Sequence, residues 1–272
     1  MKSSGSSMIK KIHYCWFGGE KPDSVKRNVE HWAKLNPDFE ICEWNEGNID
    51  VSAFEFGKQA LAKKKWGFLV DIIRPQKLFH EGGFYIDADV ELIKPLSQIE
   101  NEHNKLLMGY MYDCALGTAI LYSPAGHPYM RDILNAYKYI RPDLWPVSNT
   151  IFTAYFINYV KDFYLTGKRW GNELSEIYPK EFFEQPAFIR KRGMSIHHCC
   201  GSWKSVFKKD FSIVPRLNWL SHVMKWGARK RRTWLAARHN EFTDCYRAAL
   251  KGEKLVYDIS HLYTVDNPYS EE

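Results

Sequence analysis

The chain lacks the features by which several large protein classes are recognised. No apolar run approaches bilayer-spanning length, and no stretch has the charged, apolar and small-residue sections of a secretory signal. Cys15, Cys42, Cys114, Cys199, Cys200 and Cys245 are scattered, with no C-x-x-C pair among them. That scatter argues against a zinc ribbon or a disulfide framework and predicts free thiols in a reducing compartment. There is no P-loop, no G-x-G-x-x-G and no G-x-S-x-G, so the usual phosphate-cradling and serine-nucleophile motifs are missing. Internal repeats are absent too. Low complexity is confined to Met1-Lys2-Ser3-Ser4-Gly5-Ser6-Ser7, which reads as an added leader, with the native start expected at Met8.

What remains is a 272-residue chain, 45% hydrophobic and 26% charged, long enough to bury a substantial core. The net charge of +6 suits phosphorylated ligands or an anionic membrane surface and is too small to imply nucleic acid. Aromatic residues reach 15%, enough to furnish both a core and stacking surfaces.

Strand and helix patterns alternate along the chain. Ile9–Trp16 reads as a first strand, broken by Phe17-Gly18-Gly19. Trp16 at its end either stacks on a nucleobase or caps the sheet, since ligands of α/β sheets dock beyond the carboxyl ends of strands. Ser24–Leu35 reads as a helix, Phe39–Trp44 as a strand, and Phe54–Lys65 and Phe68–His80 as helices. Asp71 and Arg74, three apart, share a helical face. Pro75 predicts either a kink or a fresh helix start just after them. Strands follow at Lys105–Tyr110 and Thr118–Tyr122, helices at Tyr129–Tyr139 and Asn149–Val160, and short strands at Glu176–Tyr178 and Ser195–His198. From Leu217 to Arg238 tryptophans interleave with Lys and Arg, which predicts a basic amphipathic helix, lying either on an anionic bilayer or on the protein surface.

The stretch that organises the chain is Gly82-Gly83-Phe84-Tyr85-Ile86-Asp87-Ala88-Asp89-Val90-Glu91-Leu92. It reads as a turn, a buried strand, and two carboxylates at the strand's end. Residues two apart in an extended chain point the same way, so Asp87 and Asp89 are expected to face one side. Adjacent carboxylates repel unless a cation lies between them, and oxygen donors suit a hard divalent ion. An EF-hand register fails, because Leu92 stands where the loop needs glycine. His197-His198-Cys199-Cys200 offers zinc-type ligands, but four neighbours in a row cannot easily converge on one tetrahedral ion.

The order of a strand ending in Trp16-Phe17-Gly18, then Asp71-x-x-Arg74, then Gly82-Gly83-Phe84-Tyr85-Ile86-Asp87-Ala88-Asp89, then His197-His198 ahead of Gly201-Ser202-Trp203 resembles glycosyltransferase family 32. The resemblance runs from about Met8 to Lys204. It implies an α/β fold of GT-A type, Rossmann-like, with a mixed central sheet flanked by helices over residues 8–215. Residues 216–272 would form a basic, helical C-terminal extension. The implied activity is retaining, Mn²⁺- or Mg²⁺-dependent transfer of a hexose from a nucleotide sugar, with UDP-hexose favoured and GDP-mannose second. The acceptor would be a hydroxyl of a glycan or lipid-linked glycan, as in capsule or lipopolysaccharide synthesis. By the resemblance, Trp16 stacks on the nucleobase, Phe17 belongs to the donor-binding set, and Asp71 holds the ribose or sugar hydroxyls. Arg74 contacts the sugar or diphosphate. Asp87 and Asp89 hold the metal, joined by His198 through its H-x-x-G spacing. Ser202, Trp203 and Lys204 close over the diphosphate, and Asn149 contacts the donor sugar. The same reading predicts a bacterial cytoplasmic enzyme, peripheral on the inner face of the inner membrane, with no nucleic-acid partner.

Overall fold

Strands with apolar residues on both faces are expected to lie buried between two helical layers. The computed structural model describes residues 8–101, 103–189, 192–199 and 219–269. Its strands are β1 (Lys11–Cys15), β2 (Glu40–Trp44), β3 (Gly83–Ile86), β4 (Val90–Leu92), β5 (Leu106–Tyr112), β6 (Ala115–Ser123), β7 (Trp170–Gly171), β8 (Ser175–Tyr178) and β9 (Ser195–His197). Its helices are α1 (Asp23–Leu35), α2 (Glu55–Ala62), α3 (Trp66–Glu81), α4 (Pro128–Ala136), α5 (Ser148–Tyr159), α6 (Lys180–Phe183), α7 (Trp219–His239) and α8 (Thr243–Leu250). Seven strands form one sheet in the order β2-β1-β3-β6-β5-β8-β7, while β4 and β9 pair as a separate ribbon. The main sheet is mixed: β1 runs parallel to β2 and β3, and β6 is antiparallel to β3 and β5.

Alternation along the strands sorts the core. Ile12, Phe84, Ile86, Leu107 and Tyr122 face one layer with Trp32 of α1. Tyr85, Leu106, Met108 and Leu121 face the other, against Ile72 of α3 and Phe152 of α5. Phe242, Ile259, Leu262 and Tyr269 belong to that second cluster, so the chain beyond α7 packs into the body rather than trailing from it. Residues 201–218 lie outside the described part, and so does the start of the predicted basic helix.

Two sequence expectations change near the centre. Pro75 does not start a new helix; α3 runs through it from Trp66 to Glu81. The cost is the hydrogen bond that residue 75 would donate to the carbonyl of Asp71. Asp87, Ala88 and Asp89 also do not continue the strand. β3 ends at Ile86, and a turn closed by Val90 N–H donating to Asp87 O (2.9 Å) carries the chain into β4. The carboxylates are therefore brought together by a turn, not by strand alternation.

Glycine is required just before this. At Gly82 (φ +67°) a Cβ would sit 2.6 Å from the Ala125 nitrogen, and at Gly83 (φ +106°) 2.8 Å from the Lys11 carbonyl. His13, fully buried on β1, holds the same corner. Its Nδ1 accepts from Trp44 Nε1 (3.2 Å), so its Nε2 carries the proton given to Gly82 O (2.8 Å).

Side chains of α1 fix the turn from the opposite layer. Asn28 Nδ2 donates to Ala88 O (2.9 Å) and Val90 O (2.7 Å), and Trp32 Nε1 donates to Val90 O (3.0 Å). Asn28 is fully buried, so these bonds are not exchanged with water. Asn28→Ala is expected to lower stability by about 1–3 kcal/mol, read by denaturant unfolding, because it removes both hydrogen bonds of a buried amide and leaves Val90 O with Trp32 Nε1 alone.

Candidate active site

The site is assembled around Arg74. One turn of α3 puts Asp71 and Arg74 on a common face, and both side chains point toward the end of β3. Arg74 is 3% exposed. Its Nη1 donates to Asp71 Oδ1 (3.0 Å) and Ser148 Oγ (2.8 Å), and its Nη2 to Asp87 Oδ1 (3.2 Å). The guanidinium also lies over the Tyr85 ring, 4.6 Å from its centre. Tyr85 Oη donates to Asp87 Oδ1 (3.0 Å). Burial raises the Tyr85 phenol well above its ordinary range, which keeps it a donor. Asp71 Oδ2 accepts the backbone N–H of Ser148 (3.1 Å), the first residue of α5. A carboxylate at a helix N-terminus complements the dipole, so Asp71 joins α3 to α5 as well as balancing Arg74.

Beyond Arg74 lies the metal-type cluster. Ligand atoms of Asp87, Asp89 and His197 all fall within 4.8 Å of one another, the one such group of three among the described residues. His197 Nε2 is 3.4 Å from Asp89 Oδ1. Its other nitrogen, Nδ1, is 2.8 Å from Glu184 Oε2. Glu184 is 1% exposed; its Oε1 accepts from Ala119 N–H (3.3 Å), and its carbonyl accepts from His197 N–H (3.0 Å). A carboxylate on one imidazole nitrogen orients the ring and frees the other for a metal. Gly117 on β6 makes room for this: a Cβ there would sit 2.2 Å from Glu184 Oε1.

The electrostatics favour a cation. Among the described residues, Asp71, Asp87, Asp89 and Glu184 gather around the Arg74 guanidinium and the His197 imidazole. Burial opposes charge on His197, but Asp89 and Glu184 outweigh it and raise the imidazole well above its ordinary value. Two hard carboxylate oxygens and one imidazole nitrogen suit a divalent ion such as Mn²⁺ or Mg²⁺, and the nitrogen leans the set toward Mn²⁺. Cys15 lies behind Tyr85 and Asp87, and burial pushes its thiol up to about 12, so it is not a thiolate ligand.

The expected residues are placed unevenly. Asp71, Arg74, Asp87 and Asp89 come together. His198 does not join them: it lies one residue past β9, and its Nε2 is 3.1 Å from Glu91 Oε2. Pairing of Val90 with His197 turns His197 toward Asp89, and neighbouring side chains point to opposite sides. The expectation of His198 is thus corrected to His197. Arg74 and Asp71 are buried; both guanidinium Nη atoms and both Asp71 oxygens are bonded within the chain, while Arg74 Nε has no partner among the described residues. Trp16 is partly exposed at the end of β1, with Nε1 donating to Gly19 O (3.0 Å). Phe17 is buried and stacks on Trp66 at 5.8 Å, a packing position. Asn149 Nδ2 donates to Leu116 O (2.7 Å), tying α5 to β6. Ser202, Trp203 and Lys204 lie outside the described residues.

Ser148 and Glu184 escaped the sequence reading. A serine after Pro146-Val147 at the head of an apolar helix is a readable start signal. Glu184 sits in an irregular stretch with no local signature, and only the folded chain carries it to His197.

Part of the chain is similar to known proteins. Residues 22–107 match the family described as "Glycosyltransferase sugar-binding region containing DXD motif". Subversion of eukaryotic traffic protein A of Legionella pneumophila is 25% identical over 30% of this chain, and the alignment spans only 17% of that protein's length. Among solved structures, the PaToxG glycosyltransferase overlaps 55% of this chain and 68% of its own, with 18% identity and a TM-score of 0.46. A glycosyltransferase involved in glycosylation of the major capsid of PBCV-1 overlaps 70% of this chain and 93% of its own, with 10% identity and a TM-score of 0.41. Residues 22–107 thus carry a region similar to the DXD sugar-binding region of glycosyltransferases, set on a mixed α/β sheet.

Glu184→Gln keeps the shape of the side chain but removes its charge. It is expected to weaken Mn²⁺ binding by about 10–100-fold with the fold retained, measured by metal titration alongside circular dichroism.

Proposed function

We propose that the protein transfers a hexose from a nucleotide-sugar donor, UDP-hexose before GDP-mannose, to a hydroxyl of a glycan acceptor, with retention at the anomeric carbon. The observation that carries this reading is the convergence of Asp87 and Asp89, both within the span that matches the DXD sugar-binding region, with His197 beside the end of β3. A divalent cation held there would neutralise the charge that builds on the departing diphosphate.

The chain's own residues then divide the work. Asp89 and His197 reach the ion directly. Asp87 shares itself between the ion and Arg74. Arg74 and Asp71 are positioning residues: they hold Asp87 and the head of α5 in register. Glu184 sets the His197 ring. Trp16 offers the partly exposed ring on which a nucleobase stacks, and we assign Asn149, at the head of α5, to the donor sugar. No helix among the described residues is long and apolar enough to cross a membrane. The acceptor we favour is a lipid-linked polysaccharide intermediate met at the cytoplasmic face of a bacterial inner membrane.

Two measurements test the reading. Asp89→Asn should lower Mn²⁺-dependent transfer by at least about 100-fold without unfolding the protein, and full activity in that variant would overturn the metal site. A panel of nucleotide sugars with Mn²⁺ should raise the melting temperature for UDP-sugars first, as binding to the folded state alone requires. No shift with any nucleotide sugar would sink the donor assignment.

A further inference from the structure

A second cavity, of about 730 Å³, opens between α7 on one side and α6 with the β5–β6 turn on the other. Trp226, Arg229, Lys230, Thr233, Trp234 and Arg238 line it. Their spacing of three and four residues makes them one stripe of α7. The stripe is cationic and aromatic where a packing stripe would be aliphatic. Lys180 faces it from α6, Gln185 from the chain just past α6, and Arg247 from α8. The carboxylates in the lining, Asp113 and Glu181, are both engaged by Lys180, so positive charge is in excess along α7.

This cavity adjoins the carboxylate–histidine cluster. Arg229 Nη1 donates to the His197 carbonyl (3.1 Å), and Gln185 follows Glu184 directly in the chain. Lys230 lies 5.0 Å from the Trp226 ring centre and Arg238 3.6 Å from that of Trp234. Each indole is thus paired with a cation, and the Trp234 ring is 52% exposed at the lip. A flat apolar ring beside a cation is the chemistry that binds a sugar carrying an anionic group. The concave shape has the volume of a small-ligand pocket, whereas a bilayer-binding stripe has to face outward.

We propose that this cleft is the acceptor subsite and that it selects a sugar bearing a phosphate group. The proposal rests on the transferase reading above. The phosphate meets Lys230, Arg238 and Arg229, and the sugar ring lies on Trp234. An acceptor hydroxyl then points past Arg229 toward the donor. In the transfer, the bond from the anomeric carbon to the diphosphate oxygen breaks, its electrons going to that oxygen. The acceptor oxygen forms the new bond to the same carbon, and its proton passes to the released diphosphate.

The test uses the full chain and tryptophan fluorescence, with mannose 6-phosphate, mannose and inorganic phosphate as probes. Mannose 6-phosphate should bind at least about tenfold tighter than either fragment, and weaken as NaCl rises from about 50 to about 500 mM. The double variant Lys230→Ala, Arg238→Ala, checked for folding by circular dichroism, should lose at least about tenfold in that affinity. Unchanged affinity in the variant overturns the proposal. So does inorganic phosphate binding as tightly as mannose 6-phosphate, which would leave the sugar without a role. Binding to phosphatidylglycerol vesicles with no response to mannose 6-phosphate would assign the stripe to a membrane and overturn it as well. A polyprenyl diphosphate-linked hexose in phosphatidylcholine vesicles, used as competitor, separates a lipid-borne acceptor from a soluble one, and displacement by either supports the cleft. Mn²⁺-dependent hydrolysis of UDP-glucose by the unmodified protein reads the donor reaction separately. Its absence, with mannose 6-phosphate still binding, would fault the transferase reading and not the cleft.

Discussion

A guanidinium buried as deeply as that of Arg74 must keep its carboxylates, because an unpaired charge in that position costs several kcal/mol. Asp71 and Asp87 supply the balance from two different elements. The pairing therefore fixes where the end of β3 stands relative to α3. Asp71 extends the constraint through Ser148 to α5, and the Ser148 hydroxyl, bonded to Thr118 (2.8 Å), extends it to β6. One cation thus ties together the four elements that frame the site. A lysine there would offer a point charge on a flexible stem and could not span the two acids with a planar fork.

The cluster above it is built the opposite way. Where Arg74 balances charge from beneath, the Asp87–Asp89 turn accumulates it. The turn does so within a few residues of chain that Asn28 and Trp32 hold by its carbonyls, so repulsion between the carboxylates cannot be relieved by moving the backbone. His197 and Glu184 come from a distant segment, and β4–β9 pairing delivers them. The imidazole, charged under the pull of Asp89 and Glu184, partly fills the role a cation would take. A metal site of this form exchanges a proton on His197 for the ion.

Much of this was legible in the sequence because it is local. Helical spacing gave Asp71 and Arg74 a common face, and the two glycines marked the corner before β3. The two carboxylates flanking a small residue stood out by type alone. Three points were not legible, each for a physical reason. The turn at Asp87 replaced the expected strand because α1, nearly sixty residues upstream, captures the backbone of Ala88 and Val90. The choice of His197 over His198 follows from the register against β4, a long-range pairing that the H-x-x-G spacing does not encode. Glu184 owes its role to the space left by Gly117, a residue that reads locally as an unremarkable strand glycine.

The two halves of the site also differ in where they lie along the chain. Asp71, Arg74, Asp87 and Asp89 fall within residues 22–107, the span that matches the DXD sugar-binding region. Ser148, Glu184 and His197 fall outside it. The shared part is therefore the charge-balanced floor, whose geometry is set by one arginine and one turn and has little freedom to vary. The part drawn from later segments reaches the floor through single contacts: one helix N-terminus, one strand register and one glycine-sized gap. Such contacts can be rebuilt without disturbing Arg74. Differences between this protein and others that match the same region are accordingly expected in the walls around the floor, on α5, the α6–β9 segment and α7.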